Sequence, residues 1–229
     1  AGNDTISAGF GNDIVYGGDG NDWLTGAQGN DTLYGGDGTD TFAINEDDQG
    51  DTIFGGESAS NNDNDLLTFG NGTSTKGVTV TFSGGEAGSY AYQTGASGNF
   101  SEIEAVSATN QNDTLNAAAA TGNLQLYGMA GDDSITGGAG NDTIYFGTGH
   151  DTVFGGAGRD LIDDTAQRLE SGANLIDAGG GNDTVLAGGG NDTVLGSAGD
   201  DLLMGEAGSD DLSGGVGADS LYGGDGSDT

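Results

Sequence analysis

Aspartate returns every nine residues through most of this chain, each time closing a glycine-rich turn. One run places Asp4, Asp13, Asp22, Asp31 and Asp40; a second places Asp133, Asp142, Asp151 and Asp160. A third places Asp183, Asp192, Asp201, Asp210, Asp219 and Asp228. Two positions earlier stand Gly11, Gly20, Gly29, Gly38, Gly131, Gly140, Gly149, Gly158, Gly181, Gly190, Gly199, Gly208 and Gly217. A carboxylate beside the exposed carbonyls of a glycine turn is a hard-oxygen donor set, and calcium takes six to eight such ligands. The pattern points to coordination rather than to bond-making. The single histidine, His150, cannot supply a two-histidine metalloprotease motif and reads as an ordinary turn residue. No G-x-S-x-G elbow is present. No pair of acids stands apart from the rest for glycoside chemistry. No catalytic residue is assigned, and the segment reads as non-enzymatic.

The elements that must hold these aspartates follow from the period. The pattern G-G-x-G-x-D-x-U-x, with U large and apolar, fits Gly17 to Thr25, Gly35 to Ala43, Gly137 to Tyr145 and Gly214 to Tyr222. Nine residues divide into a six-residue turn and a three-residue strand. Only the middle strand side chain points inward, because strand side chains alternate. The apolar residue two after each aspartate fills that place, as at Leu24, Leu33, Ile144 and Val194. Glycine supplies the positive φ of the turn. Asparagine before the aspartate, at Asn12, Asn21, Asn30, Asn141, Asn182 and Asn191, is expected for its tolerance of the left-handed region. Two repeats make one coil, so alternate strands stack into two parallel sheets and repeats n and n+2 share an edge. A cation between stacked turns then takes ligands from both. The expected pairs are Asp4 with Asp22, Asp22 with Asp40, Asp13 with Asp31, Asp133 with Asp151 and Asp142 with Asp160. In the third run they are Asp183 with Asp201, Asp201 with Asp219, Asp192 with Asp210 and Asp210 with Asp228. This gives about nine or more ions of Ca2+.

Composition agrees. Asp and Glu number 37 against three Lys and Arg, a net charge of −34, which a compact fold tolerates only with counter-charge. Nucleic acid and anionic membranes need basic patches and are excluded as partners. No apolar run approaches the roughly 20 residues of a membrane span, so no membrane insertion is expected. Regular aliphatic and aromatic residues argue against a disordered acidic tail. One apolar residue per half-coil is too thin a core to offset the ordering entropy of 50 glycines. Cysteine is absent, so no disulfide helps. No signal peptide is visible. The chain opens in the back half of one repeat and stops inside another, whereas solenoids carry capping units; a segment of a longer protein is expected.

One solenoid over 1–229 is expected, with blocks 1–67, 107–163 and 174–229 and inserts at 68–106 and 164–173. In the first insert Val78, Val80 and Phe82 alternate with Thr79 and Thr81, and Gly84 to Gly88 makes a turn. That reads as a β-hairpin leaning on the roll. The second reads as a loop or short helix containing Arg168. The pattern limps at Asp51, Asp65 and Asp113. Leu124 stands where an aspartate is expected, so its turn should bind calcium poorly. Phe146, Glu206, Ala8, Ala178 and Ala187 replace turn glycines and put their sites in question. Tyr16 and Tyr34 share an outer face one coil apart, and Trp23 faces out from the other sheet. They read either as cross-strand packing or as a stripe for a polysaccharide or cell-surface partner.

These repeats resemble those of the RTX (repeats-in-toxin) family of type I secreted bacterial proteins. The resemblance implies an all-β parallel β-roll, a two-sheet β-solenoid of stacked nonapeptide repeats, here with an inserted β-hairpin. It implies calcium at the aspartates and turn glycines named above. It also implies an extracellular, secreted or cell-surface setting, where millimolar calcium folds a chain kept unfolded in the cytosol. A structural and secretion segment of a larger protein is the favoured reading. The rivals are an accessory module of a secreted enzyme or toxin whose catalytic domain lies outside this segment, and a structural protein self-assembling end to end through open sheet ends.

Overall fold

The computed structural model describes residues 1–46, 49–56, 63–70, 74–164 and 172–229, and among them strands and turns occur without a helix. The first block holds β1 (Thr5–Phe10), β2 (Ile14–Asp19), β3 (Trp23–Gln28), β4 (Thr32–Asp37), β5 (Thr41–Ile44), β6 (Thr52–Phe54) and β7 (Leu66–Phe69). An insert follows with β8 (Val78–Gly84), β9 (Ala87–Tyr92) and β10 (Ser97–Ser101). The roll resumes through β11 (Ala105–Ser107), β12 (Thr114–Asn116), β13 (Gln125–Tyr127), β14 (Ser134–Gly138), β15 (Thr143–Tyr145), β16 (Thr152–Ala157) and β17 (Leu161–Asp163). It ends with β18 (Leu175–Gly180), β19 (Thr184–Leu186), β20 (Thr193–Leu195), β21 (Leu202–Gly208), β22 (Asp211–Ser213) and β23 (Ser220–Gly226).

The odd-numbered strands outside the insert form an 11-stranded sheet; the remaining strands form a 12-stranded one. All pairings are parallel except those of β9 with its two neighbours. The register is that of the repeat: Val15 pairs with Leu33, Leu126 with Ile144 and Val194 with Leu212. In β6, β15 and β19 only the central side chain is fully buried, as alternation in a three-residue strand requires. The core is thus two facing rows, Leu24, Phe42, Leu67, Val106, Leu126 and Ile144 on one sheet against Leu33, Ile53, Leu115, Ile135 and Val153 on the other. Among the described residues no helix is long and apolar enough to cross a membrane.

The insert does not lean on the roll. It is built into the 12-stranded sheet in the order β6-β10-β9-β8-β12, where a regular coil would place one strand. β8 and β9 make the expected antiparallel hairpin; β10 then returns to pair parallel with β6. The alternating strand pattern of Val78–Phe82 suits either placement, so only the pairing decides. Aromatic residues fill the wider core here. Phe69 lies 5.2 Å from Tyr90 and 5.7 Å from Tyr92, and Phe82 lies 5.1 Å from Phe100. Tyr92 donates a hydrogen bond to the Ile44 carbonyl at 3.0 Å. The roll strands β7 and β11, at the two ends of the stretch read as the insert, pair directly with each other.

The second break keeps the register too. β16 pairs with β18 and β17 with β19, so the coil closes across it. Residues 165–171, with Arg168, lie outside the described residues. On the outer face Tyr16, Tyr34 and Phe54 stack at 4.9 and 4.8 Å with nearly parallel rings, and Tyr127 stacks on Tyr145 at 5.2 Å. Trp23 is 39% exposed.

Truncating a central core residue should cost much more than truncating one near the end of the stack. Ile144→Ala, at a site with no solvent exposure, should lower stability by about 2–5 kcal/mol. Leu221→Ala, at a 43% exposed site, should cost under about 1 kcal/mol. Denaturant unfolding in saturating calcium would check this.

Candidate metal centre

Every turn edge carries a ladder of aspartates. The Asp22 carboxylate accepts the Asp4 N–H through Oδ1 at 2.7 Å, and Asp40 accepts the Asp22 N–H likewise. The same bond joins Asp13 to Asp31, Asp133 to Asp151, Asp142 to Asp160, Asp183 to Asp201, Asp192 to Asp210, Asp201 to Asp219 and Asp210 to Asp228. Each pair expected from the n, n+2 stacking is therefore brought together. The contact is carboxylate to backbone amide, a bond an anion makes well. Asp4 lies at the open end of the stack and is exposed, as is Asp228.

The ladders also continue where the sequence pattern falters. Asp51 accepts from Asp31, Asp65 from Asp40, Glu104 from Asp65, Asp133 from Asp113 and Asp183 from Asp160. Across the second break Asn174 takes an aspartate's place: its Oδ1 accepts the Asp151 N–H and its own N–H donates to Asp192. Its spacing of two residues before buried Ile176 is the signal that marks it. Leu124 occupies a rung without a carboxylate, its N–H donating to Asp142.

A second ladder runs beside the first in the opposite sense. Asn3 Oδ1 accepts the Asn21 N–H, Asn21 that of Thr39, Asn123 that of Asn141 and Asn182 that of Asp200. This corrects the left-handed expectation for asparagine. Among the described residues the positive-φ residues other than glycine are Ala27, Glu102, Met129, Ser197 and Glu206, with no asparagine among them. Asparagine stands before aspartate because its short amide reaches the next turn. His150 shares this edge. Its N–H donates to Asp132, and its Nδ1 accepts the Ala173 N–H at 2.8 Å.

Of the turn glycines two positions before the aspartates, all except Gly140 have positive φ. The first glycine of the turn matters for a different reason. A side chain on Gly17 would run into Asp22 Oδ2 and lie 2.7 Å from the Gly35 carbonyl oxygen. The glycine thus lets a carboxylate oxygen and a carbonyl oxygen come closer to the backbone than any side chain would allow. The same close approach recurs at Gly196 and Gly205, beside Asp201 and Asp210. Phe146, Ala178 and Ala187 place a buried side chain at this position, in the turns of Asp151, Asp183 and Asp192.

At most rungs one carboxylate oxygen is spent on the amide and the other is buried without a donor. Oδ2 of Asp13, Asp22, Asp31, Asp40, Asp65, Asp133, Asp142, Asp151, Asp160, Asp183, Asp192, Asp201 and Asp210 is buried without a hydrogen-bond partner. Such groups are costly unless a cation or proton satisfies them. Asp113 is the instructive exception. Thr109 caps its Oδ2 with both its N–H and its hydroxyl, at 2.9 Å each, leaving nothing for an ion. Burial, reinforced by neighbouring carboxylates, pushes Asp133 and Asp65 up to about 8 and Asp40, Asp160 and Asp183 up to about 6. Burial likewise raises Asp151 and Asp192 to about 6.

Among the described residues no three His, Cys, Asp or Glu side chains converge as a metal-holding group. The available donors are instead single carboxylate oxygens interleaved with backbone carbonyls. All are hard oxygens with no nitrogen or sulfur among them, which suits calcium rather than zinc. The residues fit that ion. Its positive charge would stand where each ladder leaves an anionic oxygen unpaired.

The RTX calcium-binding nonapeptide repeat, described by a four-copy family model, matches residues 1–24, 16–43, 125–153, 147–164, 170–194 and 195–229. No curated protein matches the chain. The matched stretches cover stacked turns on both sides of the insert and leave out 44–124 and 165–169. With ladder, turn glycines and repeat model agreeing over more than half its length, this chain belongs to the RTX calcium-binding nonapeptide repeat family.

Proposed function

We propose that this chain is a calcium-dependent folding module, non-enzymatic in itself, that serves as a structural and secretion segment of a larger secreted or surface protein. The observation that carries the reading is the row of buried carboxylate oxygens without donors. A chain of net charge −34 cannot bring those oxygens together unaided. Ligand binding to the folded state alone stabilises it by mass action, so calcium concentration becomes the variable that sets folding. Where calcium is scarce the chain stays extended; at extracellular calcium, sites of roughly 10⁻⁴–10⁻³ M affinity fill and the coils close. The ions sit at the in-register aspartates whose turns open on glycine, and the calcium count follows the ladder.

Sedimentation velocity and circular dichroism across a calcium titration test this directly. The expected outcome is an expanded, largely unstructured monomer in chelator and a compact β-rich monomer at 10 mM calcium. Full β signal retained in excess chelator would sink the proposal.

Replacing a ladder carboxylate by its amide separates hydrogen bonding from charge, since Asn174 already fills a rung. Asp142→Asn should keep the bond from Leu124 and the folded state in high calcium, yet bind fewer ions in equilibrium dialysis. Asp113→Asn, at the rung capped by Thr109, should leave the ion count unchanged.

Protons should substitute for calcium in part. Aspartates raised to about 6 and about 8 from an ordinary 3.8 hold protons in the folded state that the unfolded chain has released. Stability of the metal-free roll is then fully present below about pH 4 and is lost as pH rises through 6 to 8. Chelated protein should gain β structure when taken from pH 8 to pH 5, read by circular dichroism. The opposite slope would show that these carboxylates are not buried in the metal-free chain.

A further inference from the structure

The break between the second and third blocks contains an acidic residue outside the nonapeptide register. Asp164 follows β17 and is only 7% exposed. Its Oδ1 is buried without a hydrogen-bond partner. Its Oδ2 lies against Gly188, where it would meet any side chain placed there. In the equivalent turns that place belongs to a backbone carbonyl from the turn before: Gly18 O beside Gly36, Gly138 O beside Gly156 and Ser197 O beside Gly215. A carboxylate thus stands where the repeat elsewhere presents a carbonyl.

The neighbouring rung explains why that charge is tolerated. Asn174 is the neutral member of its ladder, stacked between Asp151 and Asp192. Both flanking aspartates keep an unpartnered buried Oδ2. The turn therefore lacks the carboxylate that an in-register residue would bring, and Asp164 brings one from another direction.

We propose that Asp164 anchors an off-register calcium site at the junction of the second and third blocks, compensating for Asn174. The remaining ligands are turn carbonyls and a flanking ladder aspartate, the same hard-oxygen set as elsewhere in the roll. The site rests on the calcium-binding reading given above and extends it to a stretch where the ladder aspartate is missing. Its role is to hold the third block in register on the second across the break. Burial and the surrounding carboxylates of Asp151, Asp192, Asp163 and Glu206 raise the Asp164 carboxyl to about 8, which accords with a group awaiting a counter-charge.

The test uses the whole chain and calcium alone. Bound calcium per chain is counted by equilibrium dialysis for the wild type, Asp164→Asn, and Asp164→Asn combined with Asn174→Asp. The expected result is one ion fewer in the single variant and its return in the double variant. Hydrogen exchange at subsaturating calcium should show protection lost around 175–195 in the single variant, with Trp23 fluorescence unchanged. An undiminished ion count in Asp164→Asn overturns the site while leaving the general reading intact. A lost ion that Asn174→Asp does not restore overturns the compensation, and with it the proposal. A wild-type chain that takes up no calcium overturns both.

Discussion

Everything in this roll depends on placing anionic oxygens at regular intervals in a protein interior with almost no basic residues. Most ladder carboxylates make one strong bond, to the amide of the turn before, and bury the other oxygen without a donor. A buried anion without a counter-charge costs several kcal/mol. The two facing rows of aliphatic side chains cannot absorb that cost repeated along the stack. The energetics of the fold are therefore incomplete without an external cation, and calcium becomes a component of the core.

The same constraint explains local choices that would otherwise look arbitrary. Glycine heads many turns because a side chain there would collide with the carboxylate oxygen. Asparagine precedes aspartate because it links turns through its amide while adding no further charge. Where the chain can satisfy a carboxylate from its own atoms, as Thr109 does for Asp113, it does so beside the insert, outside the matched repeats.

Much of this was legible before any coordinates. A nine-residue period with one large apolar residue per unit leaves few options: Leu33 and Ile144 had to point inward, and Asp22 had to meet Asp40 on one edge. Three things escaped sequence reasoning, each because a non-local contact decides it. The strand alternation of Val78–Phe82 is the same in a hairpin packed on a sheet and in one spliced into it. Asn174 and Glu104 do not look like rungs until stacking brings them to the ladder across breaks of 23 and 39 residues. The role of asparagine was misjudged because its backbone tolerance is a local property, whereas the bond it makes lies one coil away.

The spliced insert has a geometrical outcome of its own. Between β7 and β11 the 11-stranded sheet advances by one strand spacing, while the opposite sheet carries three strands where a regular coil carries one. Two additional strands at about 4.8 Å each give one wall of the solenoid about 10 Å more length than the other. The side chains of Phe69, Tyr90, Tyr92, Phe82 and Phe100 fill the core beside this longer wall. Its extra length is set by covalent sequence rather than by ion occupancy.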